Sequence, residues 1–203
     1  MNILIVKYLP SGETSNTLTL LNYFKQNLGS EHNIIERDLI ETPAQHFNYT
    51  SMKAYKMRNY GGQILTGELA ESIQSIDMLT DEFMSADLVV LATPMHNFSL
   101  PGMIKLYFDA IMQNGKVFKY EDGKQYGLMT NTKFATIYTS MGSYKGEYGF
   151  MDNLKTILKI ELDFMGIKDY QFIHAATGNT SLMEMQINRA KESIDALIDK
   201  WQL

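Results

Sequence analysis

Hydrophobic residues along the chain follow two alternating patterns. Five short runs rich in apolar and β-branched residues predict strands, and two of them are continuous enough for strands buried on both faces. These runs are NILIVKY (2–8), NIIERDL (33–39), DLVVLAT (87–93), KFATIYTS (133–140) and YQFIHAA (170–176). Between the runs, apolar residues recur at spacings of three and four, which indicates helices. The predicted helices cover residues 16–28, 68–84, 102–113, 150–165 and 181–201.

Five strands alternating with five helices predict a parallel sheet that carries helices on both faces. The pattern alone does not determine the strand order. Five units, rather than six or eight, favour the order 2-1-3-4-5 of the doubly wound, flavodoxin-like α/β fold. No repeat, linker or low-complexity tract interrupts the chain, so we expect a single domain over residues 1–203.

Two segments interrupt the alternation. Residues 42–66 are polar and rich in Tyr and Met, and residues 115–128 read as a short hairpin around an Asp-Gly turn before the fourth strand. Insertions of this length in a compact domain are typical of functional loops. The first insertion either covers a subunit interface or packs within its own chain, and its residues of interest are Tyr49, Met52, Tyr55, Met57 and Tyr60.

Composition and charge exclude several classes of function. The chain has a net charge of -5 and no cysteine, which disfavours nucleic-acid binding and rules out thiolate chemistry and disulfides. Its four histidines match no metal-binding spacing. The first strand lacks the features of a signal peptide and no apolar run is long enough to cross a bilayer, so we expect a cytoplasmic protein without a membrane partner.

Three loops leave the predicted strands at the edge of the sheet where ligands bind in open α/β folds. The first is YLPSGETSNT (8–17), in which Ser15, Asn16 and Thr17 begin a helix and offer free N–H groups and neutral donors to a phosphate. Ordinary N-capping by Thr14 or Ser15 is the alternative interpretation.

The other two loops follow strands 3 and 4. PMHNFSLP (94–101) offers sulfur, imidazole, amide and ring groups that could contact a ligand. The alternative interpretation is a plain connection between strand and helix with a hydrophobic plug. TSMGSYKG (139–146) contains Gly142, which allows close approach of a ligand or is simply a flexible turn. Together the three loops suit a flat, phosphorylated ligand.

The stretch PMHNFSLPGMIKLYFDAI (94–111) resembles the motif P-M-[YW]-N-F-x-[IV]-P-x-x-L-K-x-[YW]-[IF]-D of the FMN-dependent azoreductases, also called FMN-dependent NADH:quinone oxidoreductases. The resemblance covers essentially the whole chain. The segments SNT (15–17), GKVFKYEDGKQYGL (115–128) and FMGIKD (164–169) also resemble the family's phosphate loop, hairpin and strand 5 region.

The resemblance implies a homodimer of flavodoxin-like subunits with one tightly bound FMN each. It implies ping-pong chemistry, in which NADH or NADPH gives a hydride to the flavin and leaves before a quinone or azo compound takes the electrons. NADH is the donor that the resemblance favours. No G-x-G-x-x-G occurs in the chain, which agrees with a nicotinamide that binds transiently.

The resemblance also assigns residues, none of them as a catalytic acid or base. It assigns the FMN phosphate to Ser15, Asn16 and Thr17. It assigns the isoalloxazine and ribityl chain to Met95, His96, Asn97 and Phe98. It assigns the other side of the ring to Ser140, Met141, Gly142 and Ser143. It assigns the substrate pocket, partly across the dimer interface, to Phe118, Tyr120 and Phe164.

The chain departs from the family pattern in three places. His96 replaces a Tyr or Trp, Met141 and Ser143 replace an Arg and a Gly, and Tyr8-Leu9 replaces a Ser-containing segment. His96 is interpreted either as an aromatic wall or as a proton donor to quinone. For His174, on the fifth strand, we expect a structural role.

Three other functions share this fold. A flavodoxin-type electron carrier would expose its flavin, which the aromatic hairpin and the 42–66 insertion disfavour. A phosphoacceptor domain needs an Asp at the end of strand 3, where the chain has Thr93 and Pro94. A flavin-binding redox sensor stays open, and turnover would exclude it.

Overall fold

The computed structural model describes all 203 residues and is built around parallel strands. The strands are β1 (Asn2–Lys7), β2 (Asn33–Asp38), β3 (Leu88–Pro94), β4 (Phe118–Glu121), β5 (Lys124–Gly127), β6 (Lys133–Ser140) and β7 (Tyr170–Ala176). The helices are α1 (Asn16–Gln26), α2 (Tyr49–Asn59), α3 (Gly67–Glu71), α4 (Gln74–Met84), α5 (Gly102–Ile111), α6 (Asn153–Met165) and α7 (Thr180–Trp201). Each helix is too short or too polar to cross a bilayer.

Five strands form one sheet in the order β2-β1-β3-β6-β7, and every neighbouring pair is parallel. This is the predicted order 2-1-3-4-5, so the flavodoxin-like prediction is confirmed. The order reverses between β1 and β3, because β2 lies on one side of β1 and the later strands lie on the other. Ligands bind in such folds at the carboxyl ends of the strands beside this reversal.

The two faces of the sheet bury separate hydrophobic clusters, because successive side chains of a strand point to opposite faces. In β1, Leu4 and Val6 join a cluster with residues of α4, α5 and α6, whereas Ile3 and Ile5 join one with residues of α1 and α7. All four side chains are at most 1% exposed. The sheet is therefore covered on both sides, which explains why β1 is apolar at consecutive positions.

Three helical predictions differ from the structure. The helix predicted over 68–84 is two helices, α3 and α4, separated at Ser72 and Ile73, and Ile73 is buried in the break. The 42–66 insertion contains α2, which begins with a capping box between Asn48 and Ser51. The helix predicted over 150–165 begins three residues later as α6, after a 3₁₀ turn at Gly146–Met151.

The predicted hairpin is present as β4 and β5, which pair antiparallel. Its turn residues, Asp122 and Gly123, have φ angles of 51° and 72°, as the two central positions of a type I′ turn require. At the other end of the hairpin, Gly127 lies against the backbone of Gly166, the left-handed residue that ends α6. A side chain at Gly127 would collide with that backbone, so the hairpin docks closely on the end of α6.

Candidate functional site

Three loops meet at the carboxyl ends of the neighbouring strands β1, β3 and β6. Backbone hydrogen bonds extend the pairing past the strands, since the Tyr8 N–H donates to Ala92 and the Met95 N–H donates to Thr139 over 2.7 Å. The loops that follow these strands therefore start side by side. The sequence prediction of a shared edge depends on this register, and the structure confirms the register.

The N-terminus of α1 supplies anion-binding groups. The Ser15 hydroxyl oxygen caps the helix by accepting from the Leu18 N–H over 3.2 Å. The N–H groups of Asn16 and Thr17 donate to no other group of the chain, and the segment from residue 8 to 17 contains no Lys or Arg. Free N–H groups and the positive end of a helix dipole are the features with which proteins bind anions.

The side chain of Thr17 lies against the sheet, away from the phosphate position that the sequence predicted for it. It is fully buried, and its hydroxyl lies 2.8 Å from the hydroxyl of Thr139 on β6. The Asn16 amide faces α7, where its nitrogen lies 3.7 Å from the sulfur of Met183. Of the predicted Ser15-Asn16-Thr17 set, the backbone N–H groups and the Ser15 hydroxyl remain the donors that can reach an anion, while the Thr17 hydroxyl ties α1 to the sheet.

A strained two-residue turn follows β3. His96 and Ser99 exchange two backbone hydrogen bonds of 3.1 and 2.9 Å, and between them Asn97 and Phe98 have φ angles of 45° and 65°. Positive φ is tolerated by Asn but is unfavourable for a bulky Phe, at a cost of about 1–3 kcal/mol. The N–H groups of both residues donate to nothing within the chain. Strain that exposes two free donors indicates a binding turn.

Aromatic contacts flank this turn on both sides. The Tyr8 and His96 rings meet edge to face with centroids 6.0 Å apart, which is the geometry of an aromatic wall. The Phe98 ring meets Tyr144 in the same way at 5.8 Å, and Tyr144 itself has a φ angle of 42°. Sequence reasoning did not select Tyr144. Its position two residues after Gly142 in a turn was the available signal.

The loop after β6 is anchored at its base. Ser140 is 7% exposed, and its hydroxyl lies within hydrogen-bond distance of Gly142 and His174 rather than open to a ligand. The Ser140 and Met141 carbonyl groups accept hydrogen bonds from the N–H groups of Thr177 and Gly178. The side chains of Met141 and Ser143 are exposed. The loop therefore presents its backbone and the tips of Met141 and Ser143 toward solvent.

The predicted substrate-pocket aromatics form a cluster of their own. Phe118 packs against Phe164 with centroids 4.8 Å apart and against Tyr120 at 5.9 Å. Phe118 is 6% exposed, whereas Tyr120 is 56% exposed. Phe164 lies near the C-terminal end of α6, roughly 16 Å along the helix from its first residue at 1.5 Å per residue. That first residue, Asn153, donates its N–H to the Phe98 carbonyl over 3.0 Å.

This arrangement separates the aromatic cluster from the three loops within one chain. The structure brings Phe118, Tyr120 and Phe164 together but does not bring them to the turn at 96–99.

The 42–66 insertion combines packing with exposed surface. Tyr55 packs against Phe47 and Tyr60, its hydroxyl oxygen accepts from the Asn114 N–H over 3.0 Å, and burial raises its pKa to about 12. Tyr49, by contrast, is 98% exposed beside an open cleft of about 710 Å³ lined by residues 46–49, 52, 53, 56 and 57. The structure thus assigns Tyr55 to internal packing and leaves Tyr49 on the surface.

The side-chain arrangement contains no group of three or more His, Asp or Glu residues that could hold a metal ion.

Comparison with known proteins extends these observations over the whole chain. A family described as having a flavodoxin-like fold matches residues 1–198. FMN-dependent NADH:quinone oxidoreductase 1 of Photobacterium profundum is 30% identical over 199 residues, covering 97% of this chain and 98% of its own. An FMN-dependent NADH:quinone oxidoreductase of Nostoc sp. is 31% identical over 208 residues, covering 98% and 99%.

Solved structures agree on the architecture. The structure of an FMN-dependent NADH-azoreductase from Bacillus anthracis in complex with FMN superimposes with a TM-score of 0.85 at 25% identity, covering 97% of this chain and 98% of its own. An azoreductase structure from the same species gives a TM-score of 0.87 at 22% identity, covering 98% and 99%, and supports the fold.

Proposed function

The chain belongs to the family of FMN-dependent NADH:quinone oxidoreductases with a flavodoxin-like fold, and on that premise we propose that it is such an enzyme. It would transfer two electrons from NADH or NADPH through FMN to quinones, and it would also cleave azo compounds reductively. The observation that carries the proposal is the meeting of the α1 N-terminus, the strained turn at 96–99 and the loop after β6 at one edge of the sheet.

The donor groups at this edge fit FMN. The N–H groups of Asn16 and Thr17, with the Ser15 hydroxyl, would hold the phosphate without a positively charged side chain. Some 80 residues later in the chain, the free N–H groups of Asn97 and Phe98 match the polar edge of a flavin ring. The backbone of 140–143 would face the opposite side of that ring.

FMN, when bound, accepts a hydride from the nicotinamide and delivers two electrons to the quinone or azo compound. The protein's own contribution is orientation and electrostatics. The N–H groups of Asn97 and Phe98 would stabilise negative charge at the polar edge of the ring, because their direction is fixed before any ligand arrives. Phe98 and Met95 would supply apolar and polarisable contact surface. We assign no catalytic acid or base to a side chain.

The position of the hairpin supports a homodimer. Phe118, Tyr120 and Phe164 are remote from the three loops of their own chain, so they would line a substrate pocket over the flavin of a second copy. The exposed Tyr120 ring would then be covered by association. An electron carrier has no use for such a pocket, and this favours the enzyme over the carrier. The reaction and the absence of cysteine suit the cytoplasm, where NADH is produced.

The first experiment measures NADH oxidation by the FMN-loaded protein with and without a simple benzoquinone. Rapid NADH loss that depends on the quinone is the expected result. FMN binding without NADH loss would contradict the enzyme and favour an electron carrier or a sensor. Repeating the assay with NADPH and with an azo dye defines the donor and the breadth of acceptors.

Substitutions at Asn97 test the site itself. Asn97→Ala removes the side-chain amide and also strains the turn, because Ala tolerates positive φ poorly, whereas Asn97→Gly removes the amide alone. We expect both variants to bind FMN several-fold more weakly than the wild type, with Asn97→Ala the weaker. Asn188→Ala, on the exposed surface of α7, is the matched control. Unchanged FMN affinity and turnover in both Asn97 variants would remove this residue from the site.

A further inference from the structure

His174 lies on β7 behind the loop that follows β6, and its hydrogen bond reveals the tautomer of its ring. The Ser140 hydroxyl oxygen lies 2.6 Å from the Gly142 carbonyl oxygen and 2.6 Å from the Nε2 atom of His174. A carbonyl only accepts, so the single hydroxyl proton of Ser140 goes to Gly142. Nε2 must then carry a proton and donate to Ser140. The imidazole thus holds both the strand end and the first turn of the loop.

The other contact of His174 is a flat stack. Its ring lies on the Tyr138 ring with centroids 4.4 Å apart and planes inclined by 14°. The Tyr138 hydroxyl donates to Asp152 over 2.7 Å. Burial, followed by the hydrogen bond to Asp152, raises the pKa of Tyr138. Burial is also the main cause that lowers the pKa of His174, so the ring is neutral at pH 7 and its one proton sits on Nε2.

Asp152 continues the chain of contacts to the other loop. One of its carboxylate oxygens accepts from Tyr138, and the other caps α6 by accepting from the Lys155 N–H over 3.0 Å. The next residue, Asn153, donates its N–H to the Phe98 carbonyl in the strained turn. A path of contacts therefore runs from Gly142 through Ser140, His174, Tyr138, Asp152 and Asn153 to Phe98. Its middle members Ser140, Tyr138 and Asp152 are buried.

We propose that His174 is a positioning residue that holds the 140–143 loop and the 96–99 turn in the shape that receives the flavin. The proposal rests on the proposed function, because it concerns the same FMN site. His174 serves it with two properties at once: an N–H that orders Ser140 and Gly142, and a flat ring that packs on Tyr138. The residue would not touch FMN and would act through Ser140.

A pair of substitutions separates these two properties. His174→Gln keeps a donor near the position of Nε2 and removes the ring, whereas His174→Phe keeps a flat ring and removes the donor. The Ser140 hydroxyl is largely buried, so losing the His174 N–H leaves its oxygen without a donor, while its proton still goes to Gly142. We expect His174→Phe to raise the dissociation constant for FMN about tenfold and His174→Gln to raise it less than about threefold. His46→Gln, at an exposed position in the 42–66 insertion, is the control.

Flavin affinity is measured by titrating the FMN-free protein and following the quenching of flavin fluorescence. The visible spectrum of the bound flavin gives a second readout, and we expect His174→Phe to shift it while His174→Gln does not. Combining His174→Phe with Ser140→Ala should cost no more affinity than Ser140→Ala alone, because Ser140→Ala already removes the bond to His174. Additive losses would contradict the path through Ser140.

The outcomes separate this inference from the proposed function. A wild-type protein that fails to bind FMN defeats the proposed function. A wild-type protein that binds FMN, with a His174→Phe variant of equal affinity and spectrum, overturns the role of His174 alone. Nitrogen NMR of the wild-type imidazole tests the geometry without any substitution. A neutral ring protonated on Nε2 at pH 7–8 is expected, and protonation on Nδ1 would overturn the proposal even if His174→Phe did not fold.

Discussion

Glu161, on α6, is a buried carboxylate whose contacts only partly replace the water that it loses on folding. Its side chain is 10% exposed, and its Oε2 atom is buried without a hydrogen-bond partner. Lys105 on α5 approaches Oε1 to 3.5 Å but also binds Asp109 one turn further along its own helix. Burial raises the pKa of Glu161 to about 7, Lys105 opposes this increase, and Asp109 adds to it.

The raised pKa makes the stability of the protein depend on pH with a definite sign. Well below pH 4.5 the carboxyl group is neutral in the folded and unfolded states, so folding carries no penalty there. Between pH 4.5 and about 7 the unfolded state has released the proton that the folded state keeps, so the unfolding free energy falls through this range. Above about 7 the folded state holds a buried charge and the loss is complete. Each unit of pKa difference corresponds to about 1.4 kcal/mol, so the full loss above pH 8 is about 3 kcal/mol.

Glu161→Gln removes this penalty at nearly constant size and shape. We expect the variant to match the wild type within about 1 kcal/mol at pH 5 and to exceed its unfolding free energy by about 3 kcal/mol at pH 9. The assay is urea unfolding of the FMN-free protein at fixed protein concentration across this range. Glu184→Gln, at an exposed position on α7, controls for the change in net charge. A difference between Glu161→Gln and wild type that is the same at pH 5 and pH 9 would refute the reasoning.

Two further changes test contacts that bring the site together. Thr17→Val leaves the buried Thr139 hydroxyl without its partner, so we expect the free energy of unfolding in urea to fall by about 1–3 kcal/mol. The double change Thr17→Val/Thr139→Val should recover most of this loss. A single variant as stable as the wild type would argue against the pair. Gly127→Ala would push the hairpin away from the backbone of Gly166. We expect quinone turnover to fall at least tenfold, while the FMN affinity measured by fluorescence titration is retained. Full turnover would count against a role of the hairpin in the substrate pocket.

The chain's strands could be predicted because their pattern is local. Apolar runs, their spacing and the Asp-Gly turn report on the nearest few residues, and the structure has the five-stranded sheet and the hairpin where the pattern indicated them. The strand order was inferred from the number of units and is confirmed. Because all parallel strands end at the same edge, the position of the three loops followed from the order.

The helices show where local pattern is insufficient. The spacing of Leu69, Ile73 and Ile76 continues across the break between α3 and α4, so periodicity does not reveal it. Helix α2 lacks a clear apolar face, and only Ser51 and Ala54 are buried along it. Its ends are held instead by capping at Asn48 and by the ion pair between Arg58 and Asp77, a partner 19 residues away.

By itself the sequence determined the sheet, the edge at which the three loops meet and the residue types present at that edge. Only the tertiary structure decided which atoms of those residues stay free. The Thr17 hydroxyl is hydrogen-bonded to Thr139, 122 residues away, and the Ser140 hydroxyl is hydrogen-bonded to Gly142 and His174. Neither hydroxyl is therefore open to a phosphate or flavin. The physical reason is that each hydroxyl has one proton and few lone pairs, and distant segments compete for them once folding brings them together.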